Sequence, residues 1–326
     1  MSKIQGTRKI IGVSLLGVIL FLAGVITQDP YIMHVMTRLC INIMLAASLW
    51  LIFTTGELSL THVGMMAIGA YSSAVLATRL DLSVWITLFL GGVIAAFISF
   101  ILGFPALKLK GFAFFIVTFA FAEIVIITLA NFWQDIFGGA IGLVGIPHPP
   151  PIPFPGFEIT FSSGTSMYYL TLIIMVLSLL FIYGVVKSRF GRISRAIAQT
   201  DILGESIGID VLRHKVMAFT MGGFFAGIAG GLYAHNFTVI APYDFGLTYM
   251  ITMIASVLVG GSASIFGPMI GACLFVLLHT FMAGLGHLEV LFTGIIIIVV
   301  MRFLPGGLLS LPAALRHLLR QKPKLD

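Results

Sequence analysis

Ten long apolar runs, separated by short polar stretches, constrain this chain more than any other feature. As a helix, each run is long enough to cross, or nearly cross, a hydrocarbon core of about 30 Å. Only 9% of the residues are charged and 59% are hydrophobic, whereas a soluble domain carries about 25% charged residues. The sequence therefore predicts an all-α, polytopic membrane helix bundle. The runs cover residues 10–26, 31–53, 60–78, 83–103, 111–130, 168–186, 214–234, 246–260, 265–283 and 288–304.

Two of these runs are the weakest candidates for a simple crossing. The run at 60–78 is rich in Gly, Ser and Thr, and the run at 246–260 is short. Broken or re-entrant helices are tolerated in a membrane only where protein or a water-filled cavity covers their backbone. We therefore expect short or broken helices at these two places among about ten transmembrane segments.

The distribution of Lys and Arg predicts the orientation of the bundle. With both termini in the cytoplasm, nearly all basic loop residues fall on the cytoplasmic side, and Arg79 is the one basic residue in the outer loops. No small-residue cleavage site follows the run at 10–26, so we expect a retained first span. The prediction is one transmembrane domain over 1–326, with a cytoplasmic segment at 187–213, a periplasmic Pro-rich loop at 131–167 and a basic cytoplasmic tail at 305–326.

The cytoplasmic segment at 187–213 is charged although it lies between two apolar runs. Ile193 and Ile197 are one helical turn apart and share a face, with polar residues between them. Gly204 and Gly208 predict a break between two short helices. Such an amphipathic element suits docking into a groove on a cytoplasmic protein. A solvated connector or an interfacial helix is the alternative.

Several polar side chains lie within the apolar runs or at their ends, where ionisable groups often mark a substrate pathway. Each also has a structural interpretation: Asn42 as a hydrogen-bond partner of a neighbouring helix, Glu57 as a group in cytoplasmic water, and Glu123 as a brace between helices. The candidates for the substrate pathway are Asn42, Glu57, Ser59, Thr61, His62 and Glu123.

A second polar group follows the run at 214–234. We expect His235, Tyr243 and Asp244 to line the outer mouth or to contact a binding protein, with a structural hydrogen bond as the alternative for His235. The prolines from Pro147 to Pro155 in the core of the 131–167 loop exclude a helix there and suit a rigid lid, a docking surface or a plain linker. No catalytic constellation or metal site is predicted, and Cys40 and Cys273 lie inside apolar runs, where a disulfide is not expected.

Several motifs occur in one order along the chain and resemble the inner-membrane permeases of ABC importers for branched-chain amino acids. The resemblance covers roughly residues 31–310. Glu57 departs from it, because the family more often has glutamine there, and this leaves the substrate open. The motifs include Gly56-Glu-Leu-Ser-Leu60, Phe115-Ile-Val-Thr-Phe-Ala-Phe-Ala-Glu123, Gly142-Leu-Val-Gly-Ile-Pro147, Gly191-Arg-Ile-Ser-Arg-Ala-Ile197, Glu205-Ser-Ile-Gly-Ile209, Ala226-Gly-Ile-Ala-Gly-Gly-Leu-Tyr-Ala-His235, Pro242-Tyr-Asp-Phe245 and Gly267-Pro-Met-Ile-Gly-Ala272.

The resemblance implies a transport subunit, not an enzyme, in a bacterial inner membrane. It would import a small amino acid, or a related amide or carboxylate, by alternating access. The chain has no G-x-x-x-x-G-K-[ST] phosphate-binding pattern, so no cofactor is expected on it and ATP would act on partner subunits. The resemblance also implies a second permease, two cytoplasmic ATPases and a periplasmic substrate-binding protein as partners. The residues that it implies for ATPase coupling are Arg192, Arg195, Glu205, Ser206 and Gly208.

Other functions remain open at this point. An importer of urea, a nucleoside or an aromatic acid would have the same fold and a different binding protein. An ion-coupled secondary transporter would need no ATPase, and its cytoplasmic loop would tolerate deletion. The net charge of +6 is spread over short loops and termini, so lipid is an expected partner and nucleic acid is not.

Overall fold

The structure, a computed structural model, describes residues 20–22, 24–27, 29–154, 157–206, 208–282, 284, 288–304 and 306–311. Within these residues the chain is helical, apart from two small two-stranded sheets, and the predicted all-α class is confirmed. Most of the predicted first span at 10–26 and the tail at 312–326 lie outside the described residues. The helices are α1 (Pro30–Phe53), α2 (Thr61–Arg79), α3 (Val84–Ala106), α4 (Phe112–Asn131), α5 (Gln134–Phe137), α6 (Gly164–Lys187), α7 (Arg189–Gln199), α8 (Asp201–Glu205), α9 (Val211–Phe237), α10 (Leu247–Gly260), α11 (Phe266–Met282) and α12 (Leu288–Phe303).

The described residues contain fewer helices that qualify as membrane spans than the ten that the sequence predicts. In the described part of the chain, six segments are long and apolar enough to span a membrane: α1, α3, α4, α6, α9 and Pro242–Gly260, which includes α10. The apolar helices α11 and α12 are shorter, and α2 contains many polar and small residues. A polytopic helical bundle is therefore confirmed, while ten spans with both termini inside remain a prediction.

The centre of the bundle is α9, which packs against α1, α2 and α3. The helices approach closely because small residues face each other, as is common in membranes. A Cβ atom on Gly69 of α2 would lie 2.3 Å from the Cα atom of Gly227, and one on Gly227 would lie 2.6 Å from the Cβ of Ala95. Glycine at these two positions therefore sets the distance between the three central helices.

We call the end of the bundle that carries α7 and α8 the inner end, because the basic loop residues predict it to face the cytoplasm. The inner ends of α1, α3 and α6 are their C-termini, whereas those of α2, α4 and α9 are their N-termini. The opposite end is the outer end.

The Pro-rich loop at the outer end is attached to the bundle. Its strand β1 (Leu143–Val144) pairs antiparallel with β4 (Val239–Ile240), which follows α9. Next to this pair, the Ile146 amide donates a hydrogen bond to the Thr238 carbonyl at 3.1 Å. Further along the loop, β2 (Ile152–Phe154) and β3 (Phe157–Ile159) pair as a hairpin. The non-helical backbone that the prolines predict is confirmed, and its use as a lid or docking surface stays a prediction.

Candidate functional site

The cytoplasmic segment consists of two short helices, α7 and α8, as the sequence predicts, but the break lies elsewhere. Thr200 has an extended backbone, and its hydroxyl accepts a hydrogen bond from the Ile202 amide at 3.3 Å. Thr200 therefore ends α7 and caps α8. Placing the break at Gly204 and Gly208 was wrong: Gly204 lies inside α8, and Gly208 follows α8 with a φ of +74°.

One face of α7 packs on the bundle. Ser194 and Ile197 are buried on this face, and the Ser194 hydroxyl lies 3.0 Å from Nε2 of His214 on α9. The His214 ring also stacks on the Phe190 ring at 4.0 Å between centroids. The amphipathic pattern of the segment thus holds α7 against the inner end of α9.

The other face of the segment is solvent-exposed. The exposed side chains include Ile202 of α8, whose relative exposure is 71%. The five residues that the resemblance implies for ATPase coupling are all exposed: Arg192, Arg195, Glu205, Ser206 and Gly208. We call them, together with Ile202, the coupling surface.

Four charged residues behind the coupling surface form a connected cluster. Lys215 Nζ lies 2.8 Å from Glu57 Oε1 and 2.9 Å from Asp201 Oδ1. Lys110 Nζ lies 2.7 Å from Asp201 Oδ2. We call Glu57, Lys110, Asp201 and Lys215 the charge cluster. Its two positive and two negative charges join α8 to the α1–α2 loop, the α3–α4 loop and the start of α9.

The four side chains of the charge cluster differ strongly in their solvent exposure. The side chains of Lys215 and Glu57 are 7% and 10% exposed, whereas that of Lys110 is 77% exposed. The hydrogen bond from Lys110 and the bond and charge of Lys215 hold the pKa of Asp201 below its ordinary value, against the opposing effect of burial. Asp201 is therefore ionised at neutral pH, and every bond in the cluster is charge-assisted.

Glu57 is one of the buried members of the charge cluster. Its carboxylate is in a buried ion pair and not in open cytoplasmic water. A cavity of about 490 Å³ adjoins it, lined by Glu57, Lys110, Asp201, Lys215 and phenylalanines that include Phe112 and Phe114. A role for Glu57 in a substrate pathway stays a prediction, but the structure gives this residue a second role as the buried partner of Lys215.

Ser59, Thr61 and His62 connect helices at the inner end. The Thr61 hydroxyl donates to the Thr118 carbonyl of α4 at 3.1 Å, and the Ser59 hydroxyl accepts from the Thr61 amide at 3.2 Å. His62 Nε2 lies 2.8 Å from the Ser48 hydroxyl of α1, and both residues are buried. These contacts brace α1, α2 and α4. A pathway role for the three residues stays a prediction.

Glu123 lies half-buried near the middle of α4, between buried Ala122 and exposed Ile124. Among the residues that the structure describes, its carboxylate has neither a hydrogen-bond partner nor an ion-pair partner. The brace between helices that the sequence offered as an alternative is therefore not seen in the described residues. Its place on the pathway stays a prediction.

Asn42, Tyr243 and Asp244 are brought together at the outer end. They line a cavity of about 240 Å³ between α1, α9, α10 and α11, together with Arg38 and Tyr249. The Tyr249 hydroxyl donates to Asn42 Oδ1 at 3.1 Å, and Asn42 Nδ2 donates to the Arg38 carbonyl at 2.8 Å. We call this space the outer cavity. It unites one predicted pathway residue with two predicted mouth residues.

His235 lies apart from the outer cavity and is fully buried. Its Nδ1 lies 2.7 Å from the Pro147 carbonyl, so Nδ1 carries the proton and donates. Its Nε2 lies 2.9 Å from the Ser73 hydroxyl. These bonds tie the Pro-rich loop to α2 and α9, which is the structural interpretation of this residue. Contact with a binding protein stays a prediction and would require a conformation that exposes the ring.

The described part of the chain contains neither a metal-binding cluster nor a disulfide bond. No group of three or more His, Cys, Asp or Glu side chains there is placed to hold a metal ion. Cys40 and Cys273 are free thiols. The charge cluster and the outer cavity can instead bind charged groups and form ion pairs.

The residues that sequence reasoning missed are charged ones. Lys110 and Lys215 are two of the basic residues that predict the orientation of the bundle, and neither they nor Arg38 are among the predicted site residues. The signal for Lys215 was a charge at the end of an apolar run, but its partners are far away in sequence. The signal for Arg38 was stronger, because a guanidinium within a predicted span is a functional candidate by default.

A family profile described as "Branched-chain amino acid transport system / permease component" matches residues 31–301. The chain belongs to this family. The match includes the coupling surface, the charge cluster and all the outer-cavity residues named above. The chain is thus a multi-pass membrane protein and a permease component, which is a transport role.

Similar proteins carry names from this family. The high-affinity branched-chain amino acid transport system permease protein LivM of Escherichia coli is 33% identical over 276 residues, which are 79% of this chain and 64% of the relative. LivM of Salmonella typhimurium is 32% identical over 280 residues, with the same two shares. The chain therefore spans less than two thirds of the length of these relatives.

A third relative has a different name. The nucleoside ABC transporter permease protein NupC of Lactococcus lactis subsp. cremoris is 25% identical over 229 residues, 65% of this chain and 69% of the relative. No solved structure matches the chain significantly. The family thus includes permeases named for two chemically different solutes.

Proposed function

We propose that this permease is the membrane subunit of an ATP-driven importer for branched-chain or similarly small apolar amino acids. The observation that carries the proposal is the family match over residues 31–301, together with the two LivM relatives at 32% and 33% identity. The import direction and the ATP motor belong to the proposal. So do the partners: a second permease, two cytoplasmic ATPases and a periplasmic substrate-binding protein.

The inner end supports a mechanism for coupling. An ATPase bound to the coupling surface would move α8, and Asp201 of α8 is joined to Lys215 at 2.9 Å. Lys215 is the fifth residue of α9, the central helix of the bundle. Movement of α8 would therefore reach α9 directly and would reach α1 and α2 through Glu57. Alternating access would follow from tilting these helices about the glycine contacts.

The experiment is transport by the reconstituted complex. The permease is co-expressed with the second permease, the ATPases and the binding protein that the proposal names, purified, and placed in proteoliposomes with ATP inside and radiolabelled leucine and binding protein outside. We expect ATP-dependent leucine uptake. Uptake that does not depend on ATP, or purification of the permease without an ATPase, would contradict the proposal.

A nucleoside importer is the second candidate, because one relative is named as a nucleoside permease. The same proteoliposomes decide between the two. ATP-dependent uptake of labelled uridine or adenosine without uptake of leucine would replace the first proposal by the second.

A further inference from the structure

We propose that the outer cavity binds an amino acid as a zwitterion, with Arg38 receiving the substrate carboxylate and Asp244 receiving its ammonium group. The inference rests on the proposed function and deepens it, because it names the chemical groups that the permease itself recognises. It concerns a site within the permease, separate from whatever a soluble binding protein recognises.

Arg38 lies well inside α1. It lies eight residues after Pro30, the first residue of α1, which corresponds to about 12 Å along the helix. Placing a guanidinium at such a depth in a membrane protein is unfavourable unless an anion or water compensates it. Among the described residues, no carboxylate is within ion-pairing distance of its side chain. Arg38 lines the outer cavity, where a substrate carboxylate would complete the pair.

The opposite charge is that of Asp244. It lies in the 3₁₀ turn Pro242–Phe245 at the outer end, and its Oδ2 accepts a hydrogen bond from the Ala241 amide at 3.0 Å. This bond and the burial of Phe245, which is 1% exposed, hold the turn in place. In the described part of the chain, Asp244 Oδ1 has no partner. It lines the same cavity as Arg38.

Tyr233 of α9 lines the same cavity as Arg38 and Asp244. Phe275 and Val276, both buried on α11, supply apolar surface to the same cavity. A cation, an anion and an apolar wall are the complement of an amino acid with an aliphatic side chain.

The size of the outer cavity limits the ligand. Its volume of about 240 Å³ is below the roughly 300–1,000 Å³ that is typical for drug-sized ligands. One N–H donor and one lone pair of the Asn42 amide are already used, by the Arg38 carbonyl and by the Tyr249 hydroxyl. The small volume favours a small solute recognised by its charges over a larger nucleoside.

The test is binding of three ligands to the purified permease–ATPase complex in nanodiscs, without ATP and without binding protein. L-Leucine carries both charges, L-leucinamide lacks the carboxylate, and 4-methylpentanoate lacks the ammonium group. We expect Arg38→Gln to weaken leucine binding about tenfold to hundredfold, as for loss of a charged hydrogen bond, and to leave leucinamide binding unchanged. Asp244→Asn should weaken leucine to a similar degree and leave 4-methylpentanoate unchanged.

Three variants serve as controls. Arg38→Lys keeps the charge and should retain preference for leucine over leucinamide, which separates recognition from a packing defect. Arg302→Gln and Asp81→Asn make the same chemical changes at exposed positions outside the cavity, and both should bind all three ligands as the wild type does. Assembly of each complex is verified by size-exclusion chromatography.

Two failures are distinguishable. If wild-type proteoliposomes show ATP-dependent leucine uptake, but Arg38→Gln and Asp244→Asn change binding of all three ligands equally or not at all, the zwitterion site is wrong and the proposed function stands. Absence of saturable leucine binding to the wild-type complex would have the same meaning. If wild-type proteoliposomes take up no amino acid, the proposed function itself fails.

Discussion

Replacing Lys215 by methionine should separate the coupling segment from the membrane helices. Lys215 bridges Glu57 at 2.8 Å and Asp201 at 2.9 Å, and its side chain is only 7% exposed. Methionine keeps much of the length of the side chain and removes its charge. The change therefore leaves two carboxylates without their shared cation, one of them almost fully buried.

The size of the effect follows from burial. At 2.8 Å and an effective dielectric constant of about 20, the attraction between Lys215 and Glu57 is ~6 kcal/mol before desolvation is subtracted. Removing one partner of a buried ion pair costs about 3–5 kcal/mol in free energy of unfolding, because the other charge stays buried and unpaired. We expect the melting temperature of the complex to fall by on the order of 10 °C.

Lys110 provides the matched control. It also binds Asp201, at 2.7 Å, but its side chain is 77% exposed, and exposed ion pairs contribute about 0–1 kcal/mol. Lys110→Met should therefore change the melting temperature little. The double variant Lys215→Met, Glu57→Gln should be more stable than the sum of the single changes indicates, by about 0.5–3 kcal/mol, because the two residues interact.

The assays are differential scanning fluorimetry of the purified complex, ATP hydrolysis, and leucine uptake in proteoliposomes. In Lys215→Met we expect basal ATP hydrolysis to persist while uptake falls at least tenfold. Equal effects of Lys215→Met and Lys110→Met on stability, or strictly additive effects of the Lys215 and Glu57 changes, would refute the reasoning from burial. Normal uptake by Lys215→Met would refute transmission through the charge cluster.

Three further predictions concern other parts of the structure. Gly69→Ala should lower the melting temperature strongly because its Cβ would lie 2.3 Å from Gly227, whereas Gly184→Ala has no atom within 4 Å and should be neutral or slightly stabilising; thermal melts of both variants check this. His235→Ala loses two buried hydrogen bonds and should lower stability by about 1–3 kcal/mol per bond left unmatched, with faster proteolysis of the Pro-rich loop as the readout. Because the pKa of Asp201 is lowered in the folded state, its stabilising contribution is present above the ordinary aspartate pKa of about 3.9 and is lost as the pH falls through the folded-state value. Asp201→Asn should remove only this acid-dependent part of the stability, which melting curves from pH 3 to 7 will show; an unchanged pH profile would contradict it.

Local sequence patterns predicted the helices well, because a segment that crosses a membrane must form regular secondary structure. A lipid-facing backbone must form its hydrogen bonds within its own segment, so apolar length alone predicts a helix, as it does for α1, α4 and α9. The amphipathic pattern of α7 was also readable, because its buried residues recur every three positions. Thr200 was overlooked although it is a good N-cap residue, and this local signal would have placed the break correctly.

Gly204 shows why that break was misplaced. Glycine lowers helix propensity, but a Cβ at Gly204 would lie 2.9 Å from the Val211 side chain and 3.0 Å from that of Ile197. The residue is small because α8 packs tightly on its neighbours. Local propensity and tertiary packing give opposite interpretations of the same glycine, and only the structure decides between them.

The sequence by itself determined the membrane class, the family resemblance and an amphipathic cytoplasmic segment, since each depends on residues close together in the chain. Only the tertiary structure decided which charges meet. Glu57 and Lys215 are 158 residues apart and form a 2.8 Å ion pair, and Arg38 and Asp244 line one cavity from distant helices. The sequence does not show which charges form ion pairs, because Coulomb attraction depends on separation in space and on burial. Both quantities exist only once the helices are packed.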